Sequence, residues 1–301
     1  MLDYPSLYAV ATVVETGSFE RAANVLCVTP SAVSQRVKQL EDRLGAVLIV
    51  RGNPCVATEQ GEWLCRHMER VGMLESELLA ELPALIAPGT PRQRVTLHVA
   101  TNADSLGTWF LEAVSNFAKA TNHLLHVTVD DQDHTADWLR RGRVLAAVTA
   151  LEKPVQGCRS ISLGAIRYHA TASPDFVARY FCDGVTPQTI ADAPALTFNQ
   201  KDRLQSQWIR TVLGTDVSGP THWLPSTQSF VDASLSGMGW GMNPHQLVRE
   251  HLQAGRLVEI IPGASFDVPL YWQVNRLAAD PLALLTRQVV ATAGRELIRV
   301  G

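Results

Sequence analysis

Through the first 87 residues, apolar positions recur at helical spacing; beyond residue 88 they gather into short runs separated by amphipathic stretches. Leu7, Val10 and Val14 share one face of a helix expected over Asp3–Glu15. Gly17-Ser18 interrupts it, and Ser18 is placed to cap a second helix, Phe19–Leu26. Cys27-Val28-Thr29 then makes a three-residue turn. Thr29 followed by Pro30 has the form of a cap plus first-turn proline, opening a third helix that reaches Leu44 and stops at Gly45. Val33, Val37, Leu40 and Leu44 fall on one side of that helix, whereas Ser31, Ser34, Gln35 and Lys38 project from the other. The segments Val47–Arg51 and Cys55–Thr58, around Gly52-Asn53-Pro54, suit a two-stranded wing.

A single long helix is expected from Glu59 to Ile86. Its residues Leu64, Met68, Val71, Leu74, Leu78, Leu82 and Leu85 are spaced three or four apart, close to a heptad seam. Such a stripe packs either on its own domain or on a second copy. No second helix follows nearby to cover it, which favours a dimer interface. The breaker cluster Ala87-Pro88-Gly89-Thr90-Pro91 closes this part. Strand-like runs then alternate with helices: Val95–Ala100, Leu124–Val129, Val144–Thr149, Pro194–Phe198, Trp240–Asn243, Leu257–Ile261 and Leu270–Asn275, with Trp109–Ala120 and Ser229–Ser236 among the helical segments. That alternation predicts an α/β unit with a largely parallel sheet.

Composition alters little of this picture. At 301 residues, 46% hydrophobic and 18% charged, the chain is long enough for two or three globular units and unlike disordered or collagen-like sequences. No apolar run is long enough to cross a membrane, and no secretory leader pattern is visible. Five cysteines without a C-x-x-C pair suit reduced thiols and a cytoplasmic setting. The net charge of −3 points away from nucleic acid, toward an α/β enzyme. Locally the balance differs. Residues 1–60 hold five Lys/Arg against six Asp/Glu, but residues 18–51 hold five cations (Arg21, Arg36, Lys38, Arg43 and Arg51) against Glu20, Glu41 and Asp42. Two helices joined by a tight turn and followed by a wing form a winged helix-turn-helix. In that setting Gln35 can pair with adenine, and Lys38 can reach guanine or a phosphate.

The residues Ser18-Phe19-Glu20-Arg21-Ala22-Ala23, then Val28 through Glu41, then Leu44-Gly45, Leu48, Arg51, Thr58 and Gly61, resemble the N-terminal domain of LysR-type transcriptional regulators. The resemblance implies a winged helix-turn-helix, a dimerising linker helix and a two-lobed effector domain similar to periplasmic binding proteins. The corresponding boundaries are 1–58, 59–88 and 92–301, with one lobe over about 92–166 and 269–301 and the other over about 167–268. Ser18, Arg21, Thr29, Ser31, Ser34, Gln35, Arg36, Lys38 and Arg51 are the expected DNA contacts. The expected partners are double-stranded promoter DNA and further copies of the chain, a homodimer or homotetramer, with no membrane.

In the second half, the strand Val95–Ala100 runs into Thr101-Asn102-Ala103-Asp104-Ser105 and a helix. Ligands of open α/β sheets sit at such strand ends, where helix N-terminal amides favour a carboxylate. Asp104 offers an anion to an ammonium or guanidinium, unless it or Ser105 merely caps the next helix. Asn102 through Leu106 with Thr108-Trp109, Leu139-Arg140-Arg141-Gly142, Arg179-Tyr180-Phe181, Gly184-Val185-Thr186, Ala193-Pro194-Ala195 and Gly241-Met242-Asn243-Pro244-His245 resemble the ArgP/LysG branch of that family. The resemblance implies a sensor of L-arginine or L-lysine that activates an exporter of basic amino acids. The ligand is then expected among Thr101, Asn102, Asp104, Ser105, Asp130, Thr149, Phe198, Asp202 and Gln228, with Ser226–Phe230 as a carboxylate cradle. Lys201 is a complication, because a cation beside Asp202 opposes a cationic ligand unless it points outward. The wing and Ser206–Pro225 match the branch only loosely.

Other features read as structural. His123 and His126, three apart near a strand, are expected to face opposite sides rather than share a metal. Gly237–Gly241 lacks dinucleotide-loop spacing and reads as a helix-to-strand turn. Asp130-Asp131 with Asp133 reads as a solvated loop or helix cap, and Trp208, Trp223, Trp240 and Trp272 as core. Neither a nucleophile elbow nor a cofactor loop is present, so no enzyme, metal or cofactor is expected. The competing reading is an α/β amino-acid-binding module or enzyme whose N-terminal bundle only dimerises it.

Overall fold

A computed structural model of the chain describes residues 2–82, 95–121, 123–131 and 134–299. It divides into two compact units, Met1–Leu97 and His98–Gly301. The expectations placed on Leu85, on the cluster Ala87–Pro91 and on Asp133 lie outside the described residues.

The first unit contains α1 (Tyr4–Thr16), α2 (Phe19–Val25), α3 (Pro30–Leu44), the strands β1 (Ile49–Val50) and β2 (Val56–Ala57), and α4 (Glu59–Glu81). Each helix starts where a short polar side chain accepts an otherwise unpaired backbone N–H: Asp3 from Ser6, Ser18 from Arg21, Thr29 from Ala32 and Thr58 from Gly61. Gly17 and Gly45 end α1 and α3 with φ of +68° and +65°. Leu7, Val10, Val13, Ala22, Ala23, Val33, Val37 and Leu40 form the core. Leu44 does not join them. As the last residue of α3 it lies beyond the core that Val33, Val37 and Leu40 enter, and it is exposed. Glu41 Oε1 accepts from Leu48 N at 2.8 Å and Ile49 N at 3.3 Å, tying α3 to the wing.

The expected seam of α4 divides in two. Met68 is buried in this unit's own core, with Leu64 and Val71 packed against it. Leu74, Leu78 and Leu82 are 62%, 51% and 52% exposed. Beside the buried half, burial pushes the Glu69 carboxyl up to about 7, against the pull of Arg66 and Arg70 and with Glu15 adding to the rise. Its folded value therefore exceeds the ordinary 4.5, so its contribution to stability is complete below that pH and is lost as pH rises through about 7. Glu69→Gln is expected to stabilise the unit by about 1–3 kcal/mol above neutral pH. Urea unfolding across pH 4.5–8 checks this; parallel profiles for variant and wild type contradict it.

The second unit holds β3 (Thr96–Thr101, whose first residues belong to the other unit), α5 (Ala103–Ser105) continuing through a π-turn at Leu106–Phe110 into α6 (Leu111–Ala120), β4 (Leu124–Val129), α7 (Thr135–Arg140), β5 (Ala146–Thr149) and β6 (Cys158–Ala172). There follow α8 (Pro174–Tyr180), α9 (Pro187–Asp192), β7 (Ala195–Thr197), α10 (Leu204–Leu213), β8 (Thr221–Trp223), α11 (Thr227–Leu235), β9 (Gly241–Pro244), α12 (His245–Gln253), β10 (Val258–Glu259), β11 (Phe266–Asn275) and α13 (Ala283–Glu296). The main sheet runs β10-β6-β11-β5-β3-β4, with β9 also on β6.

The largely parallel sheet expected from alternation is not what forms. β3 and β5 are parallel, but β6 pairs antiparallel with β9, β10 and β11, and β11 antiparallel with β5. The reason is that the chain crosses in β6 from the elements around β3 and β5 to those around β9 and β10, then returns beside itself in β11. Two adjacent passes in opposite senses are necessarily antiparallel. At the crossing the register slips, with Leu270 facing Gly164 but Tyr271 facing Ser162. Gly164 there has φ +110°, and a Cβ on it would lie 2.5 Å from the Ile298 carbonyl oxygen, so only glycine fits.

Trp208, Trp240 and Trp272 are core, whereas Trp223, at the end of the short edge strand β8, is exposed. His126 stacks on His98 and His123 on Phe117, so the two histidines part as expected. Gly237, at φ +72°, lies in the turn from α11 to β9. Among the described residues no helix is long and apolar enough to cross a membrane, and no group of three or more His, Cys, Asp or Glu is arranged to hold a metal ion.

Candidate functional site

In the first unit, α3 buries Val33, Val37 and Leu40, which aims its opposite face outward. Ser31, Gln35 and Lys38 are exposed there and Ser34 is half-buried. Thr29 Oγ1 lies 2.9 Å from Ser31 Oγ while capping the helix, so its hydroxyl is engaged locally at the N-terminus of α3. Ser18 likewise caps α2, beside the exposed Arg21. Arg51 leaves the wing and its guanidinium lies over the Phe19 ring, 5.1 Å from the centroid, which fixes a cation near the start of α2. Arg36 departs from the group: it is half-buried on the flank of α3, where its charge and that of Arg43 act on Asp3 at the start of α1. Glu41 is turned to the wing amides, which leaves fewer anions near the reading face than the sequence count suggests.

In the second unit, a cleft of about 470 Å³, counting its open mouth, is lined on one side by Asn102, Ala103, Asp104, Asp130 and Asp131 and on the other by Phe198, Asp202, Thr227 and Phe230 among others. Most of that space is open to solvent; the enclosed part is about 30 Å³, room for a water molecule with the walls as they stand. Of the nine expected ligand residues it brings together Asn102, Asp104, Asp130, Phe198 and Asp202. Thr101, Ser105 and Thr149 are fully buried and do not line it. Thr149 Oγ1 accepts from Leu151 N, while the Thr101 and Ser105 hydroxyls have no hydrogen-bond partner among the described residues. Gln228 is displaced. On α11 it faces solvent, 3.5 Å from Asp232 one turn on, and its neighbour Thr227 enters the cleft instead.

Asp104 is the centre of the arrangement and caps no helix. Its Oδ1 accepts from Thr227 Oγ1 at 2.6 Å and its Oδ2 from Tyr168 Oη at 2.7 Å. Tyr168, buried on β6, escaped the sequence reading together with its strand. Burial pushes the Asp104 carboxyl above its ordinary range; the hydrogen bonds from Thr227 and Tyr168 pull against this, while Asp202 and Asp131 add to it. Asp130 goes the other way. Burial raises it, but hydrogen bonds from Trp138 Nε1 and the Asp131 amide and the charge of Lys201 outweigh that and hold it low. The Asp202 carboxylate shapes its own loop, accepting from Phe198 N and Leu204 N at 3.0 Å each. Four carboxylates thus surround one cleft, and among the described residues no cation pairs with Asp104.

A helix-turn-helix with a polar outer face, in one chain with a small-molecule cleft, defines the class of ligand-responsive DNA-binding regulators. Residues 5–62 match the bacterial regulatory helix-turn-helix protein of the lysR family, and residues 90–295 match the LysR substrate binding domain. The chain belongs to the LysR family. It is similar to the HTH-type transcriptional regulator ArgP of Pseudomonas fluorescens, with 43% identity over 298 residues covering 99% of each chain. It is 70% identical to the solved C-terminal domains of a LysR family protein from Agrobacterium tumefaciens, which cover 69% of this chain and 100% of that one with a TM-score of 0.67. Full-length LysG from Corynebacterium glutamicum, solved with bound effector Arg, is 36% identical over 99% of this chain and 100% of that one, with a TM-score of 0.67. The protein is a LysR-type regulator of the ArgP/LysG kind, and the reading as an enzyme with a dimerising bundle is set aside.

Proposed function

We propose that this regulator senses a basic amino acid, L-arginine or L-lysine, in the cleft around Asp104, and that binding alters its action at a promoter. The observation that carries the reading is the Asp104 carboxylate, held deep in an acidic cleft by two hydroxyls with no cation beside it. Burying an unpaired charge is costly, and a ligand ammonium or guanidinium offsets that cost. Asp130, Asp131 and Asp202 make the cleft favourable to a second positive group, and the Thr101 and Ser105 hydroxyls suit the α-carboxylate once the walls part. The arginine bound to the related LysG supports the same ligand class.

Under this reading Gln35, Ser31 and Ser34 face the bases and Lys38 a guanine or a phosphate, while Arg21, Arg51 and the caps Ser18 and Thr29 meet phosphates, with Arg36 peripheral. The reading head spans 1–58, the linker helix 59–88 and the effector domain 92–301. The exposed Leu74, Leu78 and Leu82 form the dimer seam, from which a tetramer is assembled. The branch resemblance further implies that the target is an exporter gene for basic amino acids and that the effect is activation.

The test is fluorescence anisotropy with DNA from upstream of its own gene and of neighbouring transporter genes, with and without each amino acid. Specific binding whose affinity or footprint changes with arginine or lysine supports the proposal. Specific binding indifferent to both overturns the ligand assignment.

A further inference from the structure

Lys201 does not line the acidic cleft itself but a hollow beside it, with His134, Trp138 and Arg141, and the two spaces share Asp130. Its Nζ lies 3.5 Å from Asp130 Oδ1, with side-chain exposures of 52% and 24% respectively. Lys201 belongs to the loop following β7, and Asp130 to the end of β4, so the ion pair joins the two walls of the cleft. Its base is fixed. Asn199 Oδ1 accepts from Lys201 N at 2.7 Å and from Asp202 N at 3.2 Å, while the Asp202 carboxylate pins Phe198 and Leu204. The backbone is therefore set without the Lys201 side chain, which is free to serve another purpose. Asp130, for its part, is oriented by Trp138 Nε1 at 3.0 Å. A carboxylate of the cleft wall, held by Trp138, is thus paired from the adjoining hollow with a tethered cation.

We infer that Lys201 is a tethered competitor, an internal primary ammonium that occupies Asp130 in the ligand-free protein and must be displaced by the cationic end of the effector. This rests on the reading of the effector as a basic amino acid. An ammonium that already satisfies Asp130 lowers the net gain from a ligand's own cation, so Lys201 sets an affinity threshold. It also discriminates by length. Only a ligand whose tail reaches Asp130 competes with it, so long basic amino acids feel Lys201 and short ones do not. Because the pair is partly exposed, its worth is that of a surface ion pair, and the effect is modest.

The experiment is calorimetric titration of the full-length protein with arginine, lysine and the shorter 2,4-diaminobutyrate. The variants are Lys201→Met, Asp130→Asn and the double variant, each first checked for an unchanged melting temperature. Lys201→Met is expected to tighten arginine and lysine binding about two- to fivefold, to leave diaminobutyrate nearly unchanged, and to have no effect in the Asp130→Asn background. Weaker binding in Lys201→Met overturns the inference, because Lys201 then contacts the ligand, as through its carboxylate. Equal tightening in both backgrounds also overturns it, since that is general repulsion rather than competition for Asp130. If wild-type protein binds none of the three amino acids, the effector reading fails; if it binds them and Lys201→Met changes nothing, only the competitor role fails.

Discussion

Asp104→Asn is expected to lower arginine and lysine affinity by about 30-fold to several thousandfold, the equivalent of roughly 2–5 kcal/mol for losing one partner of a buried charge pair. The substitution keeps the size and one acceptor oxygen of the side chain, but an amide N–H replaces the carboxylate oxygen facing either Thr227 or Tyr168. The cleft also loses the charge on which the ligand's cation depends. Calorimetry on wild type and variant measures it, and wild-type affinity in the variant removes Asp104 from the site. The pH dependence has a definite sign. Because burial holds Asp104 above the usual carboxylate range, it takes up a proton at a higher pH than an exposed aspartate. Ligand affinity therefore declines as pH falls toward that raised value, while the ligand itself remains cationic, and binding in that range is accompanied by proton release. The residual binding of Asp104→Asn lacks this decline, a feature that simple loss of folding does not reproduce.

Gln35→Ala and Lys38→Ala are each expected to weaken operator binding by roughly 5- to 150-fold, from about 1–3 kcal/mol per lost base contact. Both residues are exposed on the face of α3 opposite its buried stripe, so neither substitution opens a cavity, and unchanged thermal stability accompanies the loss. The two separate by salt dependence. Removing a lysine from a phosphate lowers the slope of log affinity against log salt by about one, whereas removing a neutral glutamine that reads a base leaves the slope intact. Arg36→Ala is the internal control. Its position on the flank near Asp3 predicts a smaller loss than either. Anisotropy titrations at several salt concentrations decide among these outcomes, and unimpaired binding by both alanine variants refutes α3 as the reading helix.

The reading head was legible because its signals are local. Ser18, Thr29, Gly17 and Gly45 each act within a turn of where they stand, and the structure places caps and stops at those residues. The cleft was legible only in part, because it is assembled from distant segments. Asp104 stood out as an acid at a strand end. Tyr168 did not, because β6 changes which face it buries: Leu163 and Ala165 are buried, then Ile166, Tyr168 and Ala170. The register slip at Gly164 inserts one residue, so period-two alternation breaks in mid-strand and no window shows a clean strand. Within the stretch Ser226–Phe230 the sequence does not tell Thr227, which lines the cleft, from Gln228, which faces solvent. Adjacent helical residues point about 100° apart, and only the three-dimensional direction of α11 determines which one enters the cleft. The antiparallel character of the sheet was hidden as well, since it follows from two long crossings whose pairing is remote in sequence.

The division of the α4 seam has a consequence for operator architecture. Leu64, Met68 and Val71 are fastened into the reading head's own core, while Leu74, Leu78 and Leu82, further along the same helix, are exposed. A dimer formed through the outer half therefore has no swivel between its grip and its reading heads. The angular phase of α3 is locked to the pairing surface by the number of residues between Val71 and Leu74, and adding one residue there turns it by about 100°. In such a dimer, the permitted separation and relative rotation of the two half-sites on DNA are encoded in the pitch of a single helix, with the wing and the reading face carried along as passengers.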